Sequence, residues 1–324
     1  MHPPPADADW LGAAARLALR GRPQSNPNPS VGAILVKHGR VIARGWTQAG
    51  GRPHAEAMAL EAAGPHAEGA TLYVTLEPCA HRSERGPACA DLIAGSGLAR
   101  VVVGVGDPDP RTAGEGIARI REAGIAVDLL DHAPSRASLA GYLLRRTQSR
   151  PHVTLKLAMS LDGQIALADG TSRWITGEVA RAHVHSRRAM ADAILVGGGT
   201  WRADAPRLDV RLAGLEDRSP ERWALTRGSA PEGARAIASP EEIGALAGAQ
   251  YLYVEGGAQT AASFLAADLV DRLEVYRAPI IVGAGRAAIG DIGLTDLAAA
   301  HGRWSCVERR QLGEDMFEAY ARRR

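Results

Sequence analysis

Residues 53–60, PHAEAMAL, and residues 70–90, ATLYVTLEPCAHRSERGPACA, carry the pattern that decides how the first half of the chain is read. Three ligand-type side chains stand in order, His54, Cys79 and Cys89, each at the border of a regular element. A helix is predicted from about Pro53 to Ala63, with Pro in its first turn. ATLYVTL reads as a strand, and CADLIAGSG as a helix ending at Gly95 or Gly97. One imidazole and two thiolates give a tetrahedral zinc three ligands and leave its fourth position to water, as in catalytic zinc sites. Such a metal lowers the pKa of bound water to roughly 7. Glu56, two residues past a ligand, can exchange protons with that water without occupying the metal. Cys89 opens a helix, where a thiolate is stabilised. Each of these side chains alone reads as an inert buried residue, but the ordered set reads as a metal centre.

Working outward, residues 9–20, DWLGAAARLALR, place apolar side chains at helical spacing behind an Asp cap. VGAILV and VIARGW flank KHGR as a β-hairpin. RVVVGVG and IAVDLL are strands on either side of the helix GIARIREAG, and a further helix covers about 135–146. This alternation predicts a sheet with parallel members and helices on its faces. The polar segment TQSRPH puts a domain boundary near Arg150, giving domains 1–150 and 151–324. In the second domain HVTLKLAM, AILVGGG, YLYVEGG and RLEVYRAPIIVG alternate with the helices EVARAHVHSRRAM and QTAASFLAADL. MFEAYA is expected as an edge strand, and Gly214 to Ala249 shows no clear pattern. VEGGAQT and AILVGGGT put glycines before helix starts, where backbone amides can receive a phosphate or simply make a tight turn. Neither is G-x-G-x-x-G, so a Rossmann fold is not indicated.

At 324 residues the chain can hold two cores of about 150 residues each. A net charge of +2 without a basic run gives no nucleic-acid footprint. Arg322, Arg323 and Arg324 read as a solvated tail. MHPPPADADW has no charged segment followed by an apolar one, so no signal peptide is expected, and no apolar run reaches the ~20 residues of a membrane helix. Three cysteines build no disulfide framework, Cys306 reads as structural, and the expected compartment is the cytoplasm. Only two of the 38 basic residues are lysines, Lys37 and Lys156. Lys37 belongs to the hairpin turn. Lys156 suggests a place where a compact ammonium is needed.

His-x-Glu followed by Pro-Cys and a second Cys is the pattern of zinc deaminases. NPNPSVGAILV, HAEAMAL, GATLYVTLEPCAH and DPDPRTAGEGI together resemble the deaminase half of the bifunctional riboflavin-biosynthesis deaminase/reductase family. RPHVTLKLAMSLDGQIA, SRWITGEVAR, ILVGGGTWRADAPRL and LYVEGGAQT resemble its reductase half. The nine residues Ala80 to Ala88 between the cysteines are similar to the long loop of that family, one residue longer than its usual form, and unlike the two-residue spacing of nucleoside and tRNA deaminases. The resemblance implies a cytidine-deaminase-like three-layer domain followed by a dihydrofolate-reductase-like α/β domain. It implies zinc and NADPH as cofactors and a phosphorylated pyrimidine as substrate, in a homo-oligomer.

Carried over by position, Asn28 contacts the base, and His81 and Arg85 hold the ribose phosphate. In the second half Lys156, Ser172, Arg188, Leu208, Arg211 and Glu255 face the substrate. Ala158, Trp174, Thr200, Asp204 and the turn from Gly257 face the coenzyme. The chain departs from the family at Thr47, where a His is usual seven residues before the zinc His. It departs again at Ala205 and Asp209, where the family has Asp and Thr, and at Arg227, often Ser. Two other readings stay open: an active deaminase with a non-catalytic binding or dimerisation domain, and a deaminase of nucleic acid, against which charge and loop length argue.

Overall fold

The computed structural model of the chain describes residues 6–81 and 84–324. The chain divides into two compact units, Met1–Ser149 and Arg150–Arg324. In the first unit β1 (Gly32–Lys37), β2 (Arg40–Trp46), β3 (Thr71–Val74), β4 (Arg100–Val103) and β5 (Ala126–Leu129) form one sheet in the order β2-β1-β3-β4-β5. The pairs β1–β2 and β1–β3 are antiparallel, and β3–β4 and β4–β5 are parallel. The helices are α1 (Asp7–Ala18), α2 (Ala55–Ala63), α3 (Cys89–Ala94), α4 (Glu115–Glu122), α5 (Ala133–Ser138) and α6 (Ala140–Gln148).

Strand alternation splits this core between the two sheet faces. Leu35, Leu72, Val74, Val101 and Val103 pack with Ala55 and Ala59 of α2, Ile93 of α3 and Ile120 of α4. Ile34, Val36, Tyr73 and Val102 pack with Leu11 and Ala14 of α1. The result is the expected three-layer arrangement. At one point α2 meets the sheet with no side chain between: a Cβ on Gly45 would stand 2.0 Å from the carbonyl oxygen of Ala55. That contact seats the start of α2, and with it His54 and Glu56.

Local details differ from the sequence reading. Helix α1 starts at Asp7 with Ala6 as its cap, and Asp9 accepts the Ala6 N–H at 2.8 Å from inside the first turn. Pro53 lies outside α2, because the backbone of His54 is still extended at the N-cap. The helix expected over 135–146 is broken at Leu139, which leaves helical geometry as its side chain enters the core.

The second unit holds β6 (His152–Met159), β7 (Gln164–Ala166), α7 (Glu178–Arg188), β8 (Ala193–Gly197), α8 (Gly198–Asp204), β9 (Glu221–Leu225), β10 (Arg235–Ile237), β11 (Tyr251–Glu255), α9 (Ala258–Ala266), β12 (Arg272–Arg277), β13 (Arg286–Ala287), β14 (Trp304–Leu312) and β15 (Asp315–Arg322). Its large sheet runs β10-β9-β8-β11-β6-β12-β15-β14, parallel as far as β12 and antiparallel beyond. Along β6, Val153, Leu155 and Leu157 enter a core with Leu252 and Phe264, which puts Thr154, Lys156 and Ala158 on the other face.

Two expectations for the end of the chain are corrected. MFEAYA lies in β15, an interior strand, and the edge is β14, whose charged, exposed sequence blunts it against further pairing. Cys306 is on that edge strand and exposed, so it has no packing role. The terminal arginines are not a free tail either. Arg322 pairs with Asp268 at 2.7 Å, and Arg324 pairs with Asp271. Among the described residues no helix is long and apolar enough to cross a membrane.

Arg150, where the second unit begins, grips Asp271 through two hydrogen bonds of 2.7 and 2.9 Å, with both side chains almost buried. Burial alone raises the Asp271 carboxyl, but the bonds from Arg150 and from the Val153 N–H outweigh it and hold the group at about 2. A carboxylate held below its unfolded value of 3.8 stabilises the fold above that pH, and the stabilisation is lost as pH falls through the folded value. Acid titration of the folded fraction should therefore lose ~2.5 kcal/mol from this group between about pH 4 and 2. Asp271→Asn should flatten that slope, and Asp271→Ala should cost ~3–5 kcal/mol at neutral pH by stranding Arg150. An unchanged acid profile in the Asn variant would remove Asp271 as its source.

Candidate functional site

His54 is the N-cap of α2, and its side chain makes no capping bond, so the ring is free to bind elsewhere. Cys79 follows β3 in a short loop, and Cys89 is the first residue of α3. One ligand atom from each of the three lies within 4.8 Å of the others. His54 Nδ1 is 3.2 Å from Cys89 Sγ and 3.6 Å from Cys79 Sγ, separations that suit donors sharing one tetrahedral zinc with bonds of ~2.0–2.3 Å. Cys79 Sγ also accepts the backbone N–H of Cys89 at 3.3 Å. The Cys79 thiol is held at about 4, chiefly by the hydrogen bond from the Cys89 side chain and against the opposing effect of burial. A thiolate is therefore ready at neutral pH. The donor set fits zinc in number, type and spacing.

Glu56 is buried beside this triad. Burial is the main reason its carboxyl rises to about 7, while the charge of His54 acts the other way; a divalent cation in the pocket pulls it down as well. The Cys89 thiol is a hydrogen-bond partner. Asn28 and Arg85 converge on one loop: Asn28 Nδ2 donates to Gly51 O at 3.2 Å, and Arg85 Nη2 to Gly50 O at 2.7 Å. His81 has a buried Nδ1 without a hydrogen-bond partner among the described residues. Thr47 is buried, and its hydroxyl is engaged in accepting the Val31 N–H at 2.9 Å.

Two further residues escaped the sequence reading. The buried Glu77 carboxylate accepts backbone N–H groups from Asp107, Gly114 and Ile117, fastening the Pro78-Cys79 turn to the start of α4. Arg119 of α4 donates to Ala80 O at 2.9 Å and to Asp91 at 2.8 Å, bridging the two cysteine segments. Glu77 had a signal in its place next to Pro78-Cys79. Arg119 had none beyond helical periodicity.

In the second unit Lys156 on β6 is in register with Glu255 on β11 and Glu274 on β12. Its Nζ is 3.7 Å from Glu255 Oε2. Arg188 holds the same carboxylate through two bonds of 2.6 and 3.1 Å and donates to Asp209 O at 2.9 Å. Burial alone raises Glu255, but Arg188 and Lys156 bring it to about 2. Arg211 bonds His185 and pairs with Asp209. Ala158 lies two residues from Lys156 on the same strand face and packs on the α7 core.

Leu208 is buried in that core, so its side chain serves packing. Thr200 and Gly257 adjoin, a Cβ at Gly257 falling 3.6 Å from Thr200 Oγ1. Trp174 is 66% exposed beneath the Arg181 guanidinium, and Asp204 faces Arg173 at 3.8 Å. Ser172 is half-buried, and among the described residues no polar contact ties it to the cluster. The extra charge at Asp209 is met by Arg207 at 3.4 Å and Arg211 at 3.5 Å.

Residues 5–105 match the profile of the cytidine and deoxycytidylate deaminase zinc-binding region, and residues 151–242 and 241–317 match that of the RibD C-terminal domain. The chain is 36% identical to the riboflavin biosynthesis protein RibD of Aquifex aeolicus, over 98% of each chain. It is 37% identical to RibD of Escherichia coli, over 96% of this chain and 98% of the relative. Among solved structures it is similar to Acinetobacter baumannii RibD, with a TM-score of 0.85, 31% identity and coverage of 98% and 99%. It is also similar to a diaminohydroxyphosphoribosylaminopyrimidine deaminase/5-amino-6-(5-phosphoribosylamino)uracil reductase from Thermotoga maritima, with a TM-score of 0.83, 30% identity and the same coverage.

Protein purified without added metal should carry close to one zinc per chain, and Cys79→Ser and Cys89→Ser should each lose most of it by elemental analysis. Arg119→Met should fold but bind zinc about 10–100-fold more weakly in chelator competition, as when a group that orients a ligand is removed. Zinc retained in full by both Ser variants would overturn the ligand set.

Proposed function

This chain belongs to the family of bifunctional riboflavin-biosynthesis deaminase/reductases, and on that premise we propose which of its residues carry the two reactions. It is a zinc-dependent pyrimidine deaminase and an NADPH-dependent reductase. We assign deamination to residues 1–150 and reduction to residues 151–324. The observation that carries the first assignment is the His54–Cys79–Cys89 triad with Glu56 buried against it. The substrate is 2,5-diamino-6-ribosylamino-4(3H)-pyrimidinone 5′-phosphate, which loses its 2-amino group as ammonia.

Zinc, when bound, supplies a water acidic enough to attack the ring carbon near neutral pH. Glu56 takes one proton from the attacking water and delivers it to the ring nitrogen, and then carries a second, from the hydroxyl just added, to the amine, which leaves as ammonia. Its burial keeps bulk water from competing for that proton. Asn28 orients the base from the Gly50-Gly51 loop, and His81 and Arg85 receive the ribose phosphate. The unpartnered His81 Nδ1 supports that role, because a buried polar atom needs a partner.

NADPH, when bound, supplies the hydride that turns the ribosyl group into a ribityl chain. Lys156 donates a proton to the sugar as hydride arrives, and Glu255 and Arg188 fix its position. Arg211 and the backbone at Leu208 face the sugar phosphate, with Ser172 at the rim. Ala158, Trp174, Thr200, Asp204 and Gly257 form the coenzyme wall. A merely binding second unit is not favoured, because the chain matches its relatives along both halves, and Asp209, the most damaging departure on charge grounds, is flanked by Arg207 and Arg211. We place the enzyme in the cytosol, where Cys79 and Cys89 stay reduced as ligands. We also read it as a homo-oligomer, since Leu161, Ile280 and Ile281 form one exposed apolar patch.

Glu56→Gln keeps shape but cannot accept a proton. It should keep its zinc and lose ~10²–10⁴ in deamination rate, while still reducing deaminated substrate supplied directly. Lys156→Met should lower NADPH oxidation with that substrate at least about tenfold, because a charge-assisted hydrogen bond contributes ~1.5–3 kcal/mol. Lys156→Arg should not restore it, since a planar guanidinium is a far poorer proton donor. Full deamination by the Gln variant, or full reduction by the Arg variant, would remove the respective residue from its role.

A further inference from the structure

A cavity of about 330 Å³ opens beside the metal ligands, and Arg52, Pro53, His54, Arg85, Pro87 and Cys89 are among its walls. It contains two guanidiniums and no carboxylate. Among the described residues neither Arg52 nor Arg85 is paired with an acid. The Arg52 guanidinium makes a single long bond, 3.4 Å to Pro87 O, so nearly all of its donors are unused. Its charge nevertheless reaches the metal ligands, acting on both His54 and Cys89.

From this geometry we infer that Arg52 is a substrate-binding residue that grips the 5′-phosphate together with Arg85. This inference rests on the deaminase reading of the same site. A dianionic phosphate matches two forked guanidiniums better than a single one, each able to bind two oxygens. The position of Arg52 also accounts for the departure at Thr47. The His usual there cannot be replaced in function by a hydroxyl committed to the Val31 N–H. The cation is supplied instead from Arg52, two residues before the zinc His and on the rim of the same cavity. Phosphate recognition has moved along the loop while the ligand positions have stayed.

The test compares deamination of the phosphorylated substrate and of its dephosphorylated riboside by the zinc-loaded protein and its variants. Arg52→Met should lower the preference for the phosphorylated form, read as the ratio of the two kcat/KM values, by about 10–100-fold, mostly through KM. Arg52→Lys should recover part of the loss, because the charge returns without the fork. Equal losses on both substrates, or an unchanged ratio, would overturn the proposal. A second readout does not depend on turnover. Ribose 5-phosphate should slow extraction of zinc by a chelator, and Arg52→Met should weaken that protection at least about tenfold in ribose 5-phosphate concentration. Should the unmodified protein deaminate neither substrate while this protection still depends on Arg52, the deaminase reading falls and the phosphate site stands. Protection indifferent to Arg52 removes the site.

Discussion

Backbone packed directly on backbone is the constraint on which the first unit rests. Gly45 of β2 admits the Ala55 carbonyl, and Gly116 of α4 admits the Pro78 carbonyl, each at a distance a Cβ would cut to 2.0 Å. The first contact sets His54 and Glu56 at the head of α2. The second sets the turn that carries Cys79. A zinc centre tolerates little error in donor position, so these approaches come before any metal–ligand bond. Glu77 and Arg119 then tighten what the glycines permit, since each ties a cysteine segment to α4. The ligands sit on element ends, and the elements are located by contacts that contain no ligand.

The second unit is organised by charge as much as by packing. Two carboxylates, Glu274 fully buried and Glu255 nearly so, lie on the strands that flank Lys156. Buried charges persist only when paired. Adjacent arginines at the end of α7 divide the two acids between them. Arg187 meets Glu274 at 2.6 Å, and Arg188 meets Glu255 at 2.6 Å. Tyr253 and Arg272 complete the shell around Glu274. Among the described residues Lys156 is left with one looser ion pair, so its ammonium is oriented without being consumed. In a chain that uses arginine almost everywhere, the exception stands where an arginine partner has already satisfied the neighbouring acid.

The two sites therefore differ in how they place the proton carrier we assign to each. Glu56 is isolated by burial next to a metal centre, which makes its protonation sensitive to what the pocket holds. Lys156 stands in a network whose other members are pinned in one charge state. The first arrangement suits a group that must take and release a proton in one cycle. The second suits a donor whose surroundings stay constant as a hydride is delivered.

Sequence alone singled out the candidate zinc ligands and Glu56, the alternation of elements and a boundary near Arg150, because these depend on short-range order. His54 with Glu56, and Cys79 after its Pro, are fixed by spacing along one or two elements. The periodicities of helix and strand are local as well. It could not determine the long-range contacts. The interior place of β15 was hidden because strand order depends on pairing between distant segments, and the true edge, β14, looks like a charged loop in one dimension. The pairing of Arg322 and Arg324 with acids at 268 and 271, the break at Leu139, and the roles of Arg119 and Glu77 have the same origin. Arg52 reads as an ordinary loop arginine until the fold sets it across a cavity from Arg85. Chemistry written in neighbouring residues is legible in a sequence, whereas the partner of a charge is chosen by folding.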